Sequence, residues 1–240
     1  YLIYVSGGDA RILLNIFESA VIQKMNNSEI IIDKNVIDNV LQSKNVIYDK
    51  DGEQHYNIIS AFIKSLRGSD PDAALYWMAR MLEGGEDPKF IARRMLILAS
   101  EDIGNASPNA LVLAEATFNA VDKIGMPEAR IILAQCATYL AAQPKSNASY
   151  VAVEKAISDA RNSETENVPL HLRNAPTKLM KSLDYGKDYK YAHDFDNNFI
   201  EQNYFPEKFK GKQYYLPTEN GQEKKLKMQL QSLWKKLKKY

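Results

Sequence analysis

A single cysteine, Cys136, rules out a disulfide framework within the chain, and its place in an Ala/Leu-rich helical run suits a reduced, intracellular protein. The three histidines, His55, His171 and His193, lack the short spacing that a metal site uses. No glycine-rich loop ends in Lys-Ser or Lys-Thr, so the chain carries no phosphate cradle of its own. No serine sits in a nucleophile-elbow sequence. Glu101 and Asp102 adjoin one another and point in different directions on a helix, which fits a salt-bridged helix end better than an acid–base pair. No apolar run approaches the ~20 residues needed to span a bilayer. These absences exclude most catalytic classes, and no enzymology confined to this chain is expected.

What is present is ordinary in bulk and uneven in distribution. The hydrophobic fraction of 45% and charged fraction of 25% are typical globular values. At 240 residues the chain has length for one large domain or two small ones. Net charge is +1, but residues 223–240 hold seven lysines against one glutamate, so the remainder is slightly acidic. The chain starts at Tyr1 inside an apolar run and reads as a piece of a longer protein.

Helix punctuation is clearest between His55 and Pro108. Ile58, Ile59, Phe62, Ile63 and Leu66 recur at helical spacing, and Gly68 ends the run. Asp70 is placed to cap the next helix, with Pro71 at its first position. Ala74, Leu75, Trp77, Met78, Met81 and Leu82 form the apolar face, and Gly84-Gly85 stops it. Asp87-Pro88 repeats the start signal ahead of Ile91, Met95, Leu96 and Leu98. Further helices are expected from Pro108 through Leu111, Leu113, Ala114, Phe118 and Val121, and from Pro127 through Ile131, Leu133, Ala134 and Leu140. Another is expected from a Ser146 cap through Tyr150, Val153, Ala156 and Ile157.

Before this block, a helix end, a Gly7-Gly8 break and an Asp9-capped helix are expected, the last burying Ile12, Leu13, Ile16, Phe17, Ala20 and Val21. A short strand or extended piece at Ile30-Ile31-Ile32 should lead through Asp33 to a helix over 35–42. The polar stretch 48–53 is the best domain boundary. From Asn162 to Gly221, Pro169, Pro176, Pro206 and Pro217 interrupt the pattern while tyrosines cluster, which predicts long loops with short helices or a small hairpin. A final helix should carry Leu226, Leu230, Leu233, Trp234 and Leu237 on one face.

Two constellations bear on binding. His171, Arg173, Lys178 and Lys181, with Tyr185, Lys187, Tyr189, Lys190 and Tyr191, mix cations with aromatic faces. That mixture suits a phosphate backbone with stacked bases, and equally a subunit contact. The tail lysines, Lys224, Lys225 and Lys227 among them, suit either a phosphate backbone or a solvated helix face.

The run ISAFIKSLRGSDPDAALYWMARMLEGGEDPKFIARRMLILASEDIGNASP resembles the C-terminal region of the RarA/MgsA-like AAA+ ATPases, the replication-associated recombination factors, whose eukaryotic relatives are the Werner-helicase-interacting proteins. The likeness continues through PEARIILAQCATYLAAQPKSNASY, VPLHLRNAPTKLMKSLDYGKDYKYAHD and YYLPTENGQE. The resemblance implies an all-α chain: the last part of an AAA+ lid over 1–46, then a helical domain over 47–240 like the collar of clamp-loader subunits, which assembles a homo-tetramer. Gly-Gly-Asp-Ala-Arg resembles a sensor-2 motif, which would make Arg11 the residue that reaches a nucleotide held by the missing core. A solvated helix arginine is the alternative. The parent would be a cytoplasmic, nucleoid-associated, DNA-dependent ATPase using ATP and Mg. It would act on single-stranded or fork DNA with single-strand-binding protein as a partner and no membrane role. The chain alone is expected neither to bind ATP tightly nor to hydrolyse it. The rival reading is a stand-alone helical adaptor for a protein partner.

Overall fold

Every regular element among the described residues is helical, as the sequence predicts. The computed structural model describes residues 1–6, 10–25, 30–45, 53–163, 166–235 and 238–240. The Gly7-Gly8 break, the Asp9 cap and the linker over 48–52 lie outside the described residues.

Helices α1 (Leu2–Val5), α2 (Ala10–Lys24) and α3 (Lys34–Asn45) share one apolar cluster. Ile16 and Ala20, one turn apart, meet Val36, Ile37 and Val40, with Leu2, Val5, Ile32 and Leu41 packed against them. Asp33 caps α3 by accepting from Val36 N at 2.9 Å. Phe17 departs from expectation: it lies about 100° around the helix from Ile16 and is 44% exposed. Residues 30–32 carry no regular structure.

In α4 (Glu53–Arg67) all five expected residues, Ile58, Ile59, Phe62, Ile63 and Leu66, are buried. Each such side chain contributes about 1.5–3 kcal/mol of transfer free energy. Gly68 N donates back to Lys64 O at 2.8 Å as the helix ends. Helix α5 (Pro71–Glu83) packs on α4, burying Ala74, Met78 and Met81. Asp70 accepts from Ala73 N at 2.9 Å, the cap that the Asp-Pro signal predicts. Gly85 then takes φ +79, a left-handed turn that a side chain would strain, and Asp87 accepts from Lys89 N to start α6 (Pro88–Leu98).

Helix α6 runs into one π turn, Ala99–Ile103, and a 3-10 turn, Gly104–Ala106. Helices α7 (Asn109–Ile124), α8 (Ala129–Ala142) and α9 (Ala148–Asn162) follow. Helix α8 starts two residues after Pro127 and buries Ala129, Leu133, Cys136, Ala137, Leu140 and Ala141. Leu111 and Ile131, expected on inward faces, are 45% and 64% exposed. In α9 only Ala148 and Ala152 are buried, so Tyr150, Val153 and Ile157 face outward. Between α9 and the tail the chain is mostly irregular, with short 3-10 turns and α10 (Lys178–Ser182), and no hairpin occurs among its described residues. Helix α11 (Glu223–Trp234) stops short of the tail, with Lys235 at φ +28.

The chain divides into two compact units, Tyr1–Arg94 with Ala120–Ala141, and Met95–Asn119 with Ala142–Tyr240. Among the described residues no helix is long and apolar enough to cross a membrane, and no His/Cys/Asp/Glu group is placed to hold a metal.

Candidate nucleic-acid interface

The basic, tyrosine-rich segment belongs to the second unit and is held by its own side chains. Thr177 caps α10 through Met180 N at 3.2 Å, and the chain returns at once, with Tyr185 N donating to Met180 O and Gly186 N to Leu170 O. Arg173 sits inside that return. Its Nε donates to Val168 O at 2.6 Å, a terminal nitrogen donates to Tyr185 OH at 3.2 Å, and the guanidinium lies 5.0 Å from the Tyr185 ring centre. His171 Nε2 is 2.8 Å from Asn203 O, so that nitrogen carries the proton and ties the return to a later strand of loop. Gln202 bonds Lys190 O and Tyr204 OH at 3.1 and 2.8 Å.

Two concavities flank this tie. One, of about 430 Å³, is lined by His171, Asp184, Lys187, Asp188, Lys190 and Gln202, among others. The other, of about 570 Å³, has His171, Arg173, Tyr189 and Tyr204 in its wall. The fold therefore brings together His171, Arg173, Lys187 and Lys190, whereas Lys178 and Lys181 stand exposed on α10 and line neither. The local field is weaker than the lysine count suggests. Lys187 Nζ pairs with Asp184 at 3.1 Å, and Asp188 adds a second carboxylate to the same concavity. Both lysines remain exposed, so this pair is screened and of small energetic weight.

The tail lysines are carried by a helix whose start is anchored deeply. Glu223 is 0% exposed. Its carboxylate accepts from Ser146 Oγ, from Tyr215 OH at 2.7 Å, and from Thr218 N and Oγ1 at 3.1 and 2.5 Å. Burial alone would push its pKa up, but these donors win and hold it below the usual carboxylate value. Burial and the neighbouring Glu223 carboxylate push the Tyr215 phenol up to about 12, against a smaller opposing effect from Asn105. Asn105 Nδ2 also donates to Tyr215 OH at 3.1 Å. Gln222 N donates to Ala106 O at 2.8 Å, and a Cβ at Gly221 (φ +52) would lie 2.2 Å from that same carbonyl. Only glycine allows so close an approach. From this anchor Lys224 and Lys225 project into solvent, while Lys227 is partly covered and pairs with Glu219 at 3.0 Å.

Arg11 lies on α2, but its side chain is outside the described residues. The Glu223 anchor escaped sequence reasoning because the residue opens a lysine-rich helix and looks like one more solvated charge. The signal that could have found it is the tight grouping Tyr215, Thr218, Gly221 and Glu223 within YYLPTENGQE.

Comparison with known proteins fits this architecture of lid-like helices followed by a helical domain with an anchored tail. The family described as MgsA AAA+ ATPase C terminal matches residues 68–234, and the AAA C-terminal domain matches residues 1–67. The chain is 46% identical over 232 residues to replication-associated recombination protein A of Coxiella burnetii, covering 96% of this chain and 53% of that protein. The protein of the same name in Haemophilus influenzae is 46% identical over 233 residues, covering 96% of this chain and 52% of the relative. For that of Escherichia coli K12 the figures are 42% over 222 residues, 91% and 50%. The chain thus spans about half the length of the curated relatives it matches. It belongs to the RarA/MgsA family of AAA+ ATPases and corresponds to their C-terminal region.

Proposed function

We propose that this chain is the assembly and DNA-contacting region of a DNA-dependent ATPase that maintains replication forks and serves recombination. The single observation that carries the reading is likeness along nearly the whole chain to proteins named for replication-associated recombination. In this reading ATP and Mg are bound by a core outside this chain, with Arg11 reaching the nucleotide as sensor 2. The helical domain, clamp-loader-collar-like, assembles a homo-tetramer. The exposed apolar positions Tyr150, Val153 and Ile157 of α9 support assembly, because they recur on one face at helical spacing and each leaves between 37% and 50% of its surface exposed. The lysines of α10 and α11, with Lys190, supply the DNA contact, and single-strand-binding protein is a partner of the whole assembly in a bacterial cytoplasm.

Fluorescence anisotropy with single-stranded and forked DNA tests the contact. Few phosphates are neutralised per copy, so binding is weak in the monomeric unit and gains by avidity in the assembly. Affinity should fall steeply between about 50 and 200 mM salt, because released counterions drive it. Binding independent of salt would move the contact from the lysines to the tyrosine faces between Tyr185 and Tyr191.

A further inference from the structure

The first unit carries a cleft that neither the basic lobe nor the assembly face accounts for. Helices α4 and α6 form a space of about 540 Å³, within the size range of small-molecule sites. Its composition changes from one end to the other. On α4, Tyr56, Ser60 and Lys64 follow at intervals of four, and Arg67 lies just beyond. On α6, Phe90 and Arg94 stand one turn apart. The two helices bring like ends together, since the ring of His55, next to Tyr56, lies 6.0 Å from that of Phe90. One end of the cleft is therefore aromatic and the other cationic. Along α6 the step between them is about 6 Å, four residues of helical rise.

The aromatic end is fixed. His55 Nδ1 lies 3.3 Å from the buried Glu86 carboxylate and packs edge-on to Tyr56 at 5.4 Å. The Glu86 carboxylate beside the cleft is thus met by His55. The cationic end presents three positive groups, and Arg94 Nε is shielded from water with no hydrogen-bond partner among the described residues. A shielded donor left unmade is costly, and a bound anion would satisfy it. Lys64, Arg67 and Arg94 line the same cleft, and guanidinium and ammonium groups together suit a phosphate dianion better than a single carboxylate.

The floor decides between ligands with a ring and a negative charge. Ile59 and Ile63 are each only 8% exposed, so they offer little apolar area to an inserted aliphatic or aromatic peptide side chain. Tyr56, by contrast, is 69% exposed and offers a ring for stacking. A planar base gains from a stacking platform without being enclosed. We propose that this cleft binds a nucleotide, with the base stacked at Tyr56 and Phe90 and the phosphate held by Lys64, Arg67 and Arg94. The nucleotide is either free or one residue of a single strand. The site uses residues of the first unit alone and does not depend on the lysines of the second.

The test uses the whole chain with three probes: a fluorescent thymidine tetranucleotide, dTMP and inorganic phosphate. Tyr56→Ala should weaken the tetranucleotide about tenfold, as loss of one stacked base does, and leave phosphate binding unchanged. Tyr56→Phe should restore it. Lys64→Gln combined with Arg94→Gln should weaken all three probes. Because Tyr56 and Lys64 are at the surface, an unchanged melting temperature separates loss of binding from loss of fold, and Lys64→Gln alone serves if the double variant is unstable. dTMP binding as tightly as the tetranucleotide assigns the site to free nucleotides; tighter binding of the tetranucleotide assigns it to a strand. Photocrosslinking of a tetranucleotide carrying 5-iododeoxyuridine should place the adduct on Tyr56 or Phe90. Unchanged affinity in Tyr56→Ala, or adducts confined to residues 185–191, would overturn the proposal. So would Tyr56-dependent binding of an Asp-Asp-Phe peptide by a chain that binds no nucleotide. Lys190→Gln with Lys225→Gln, which weakens the contact proposed for the second unit, should leave the Tyr56 adduct in place.

Discussion

Glu223 is the residue on which the polar contacts at the start of α11 converge. Its carboxylate collects donors from Ser146, on the approach to α9, and from Tyr215 and Thr218 in the loop before α11. Replacing it with alanine leaves those donors buried without an acceptor, at a cost of about 3 kcal/mol or more. Glu223→Gln keeps the volume but turns one acceptor into a donor facing Thr218, and should cost about 1–3 kcal/mol. The pH dependence has a definite sign. A carboxyl held below its usual value of 4.5 stabilises the fold above that value, and the contribution is lost as pH falls through the lower, folded-state value. Urea unfolding followed by circular dichroism should therefore show a gap between parent and Glu223→Gln at neutral pH that narrows steadily below about pH 4.5. A gap that is constant with pH would mean that the carboxylate's charge is not what the anchor uses.

At the scale of elements, α9 is where apolar content and burial part company. Small residues, Ala148 and Ala152, face inward, and Tyr150, Val153 and Ile157 face out. Val153→Asp with Ile157→Asp should leave the helix content and melting temperature of the dissociated chain nearly intact, since neither side chain is buried, while reducing the mass of any assembly. If the double variant assembles as the parent does, the contact lies elsewhere. The α1–α3 group has its own apolar cluster, so a chain lacking residues 1–46 should fold, with a helical circular dichroism spectrum and a cooperative melt. A truncated chain that is unfolded would show that the later helices need the first three.

Much of this was legible in sequence, and the reasons it was differ from the reasons the rest was not. Asp70-Pro71 and Asp87-Pro88 mark helix starts by local chemistry that needs no tertiary context, and the α4 stripe is dense enough to fix its own buried face. In α9 the periodicity identified a helix but not which side would be covered, because two alanines and three larger residues compete for the inside and close packing chose the small ones. Ser146 has the residue type of a cap, yet its hydroxyl is drawn mainly to Glu223, 77 residues away, a partner no local pattern reveals. The same holds for the cleft between α4 and α6, where residues from two helices acquire meaning only side by side.

At the scale of the molecule, the chain corresponds to the C-terminal region of its family and spans about half the length of the relatives it matches. No loop in its sequence cradles a triphosphate, and in the second unit Lys187 and Lys227 have acidic neighbours. Any ATP binding seen by calorimetric titration should therefore depend on Tyr56 and Lys64 of the cleft and not on Arg11: one charge-assisted contact supplies about 1.5–3 kcal/mol, against about 8 needed for micromolar affinity. Its exposed apolar positions instead ask for a partner, and the simplest is another copy of itself, since closed symmetric assemblies bury the same patch on each subunit.

Size-exclusion chromatography with multi-angle light scattering on the unmodified chain, at micromolar concentration and moderate salt, tests that account most directly. A homo-tetramer gives four times the chain mass of 27.2 kDa, falling toward the single-chain value in the Val153→Asp, Ile157→Asp variant. A single-chain mass for the unmodified protein across the accessible concentration range would contradict the assembly role.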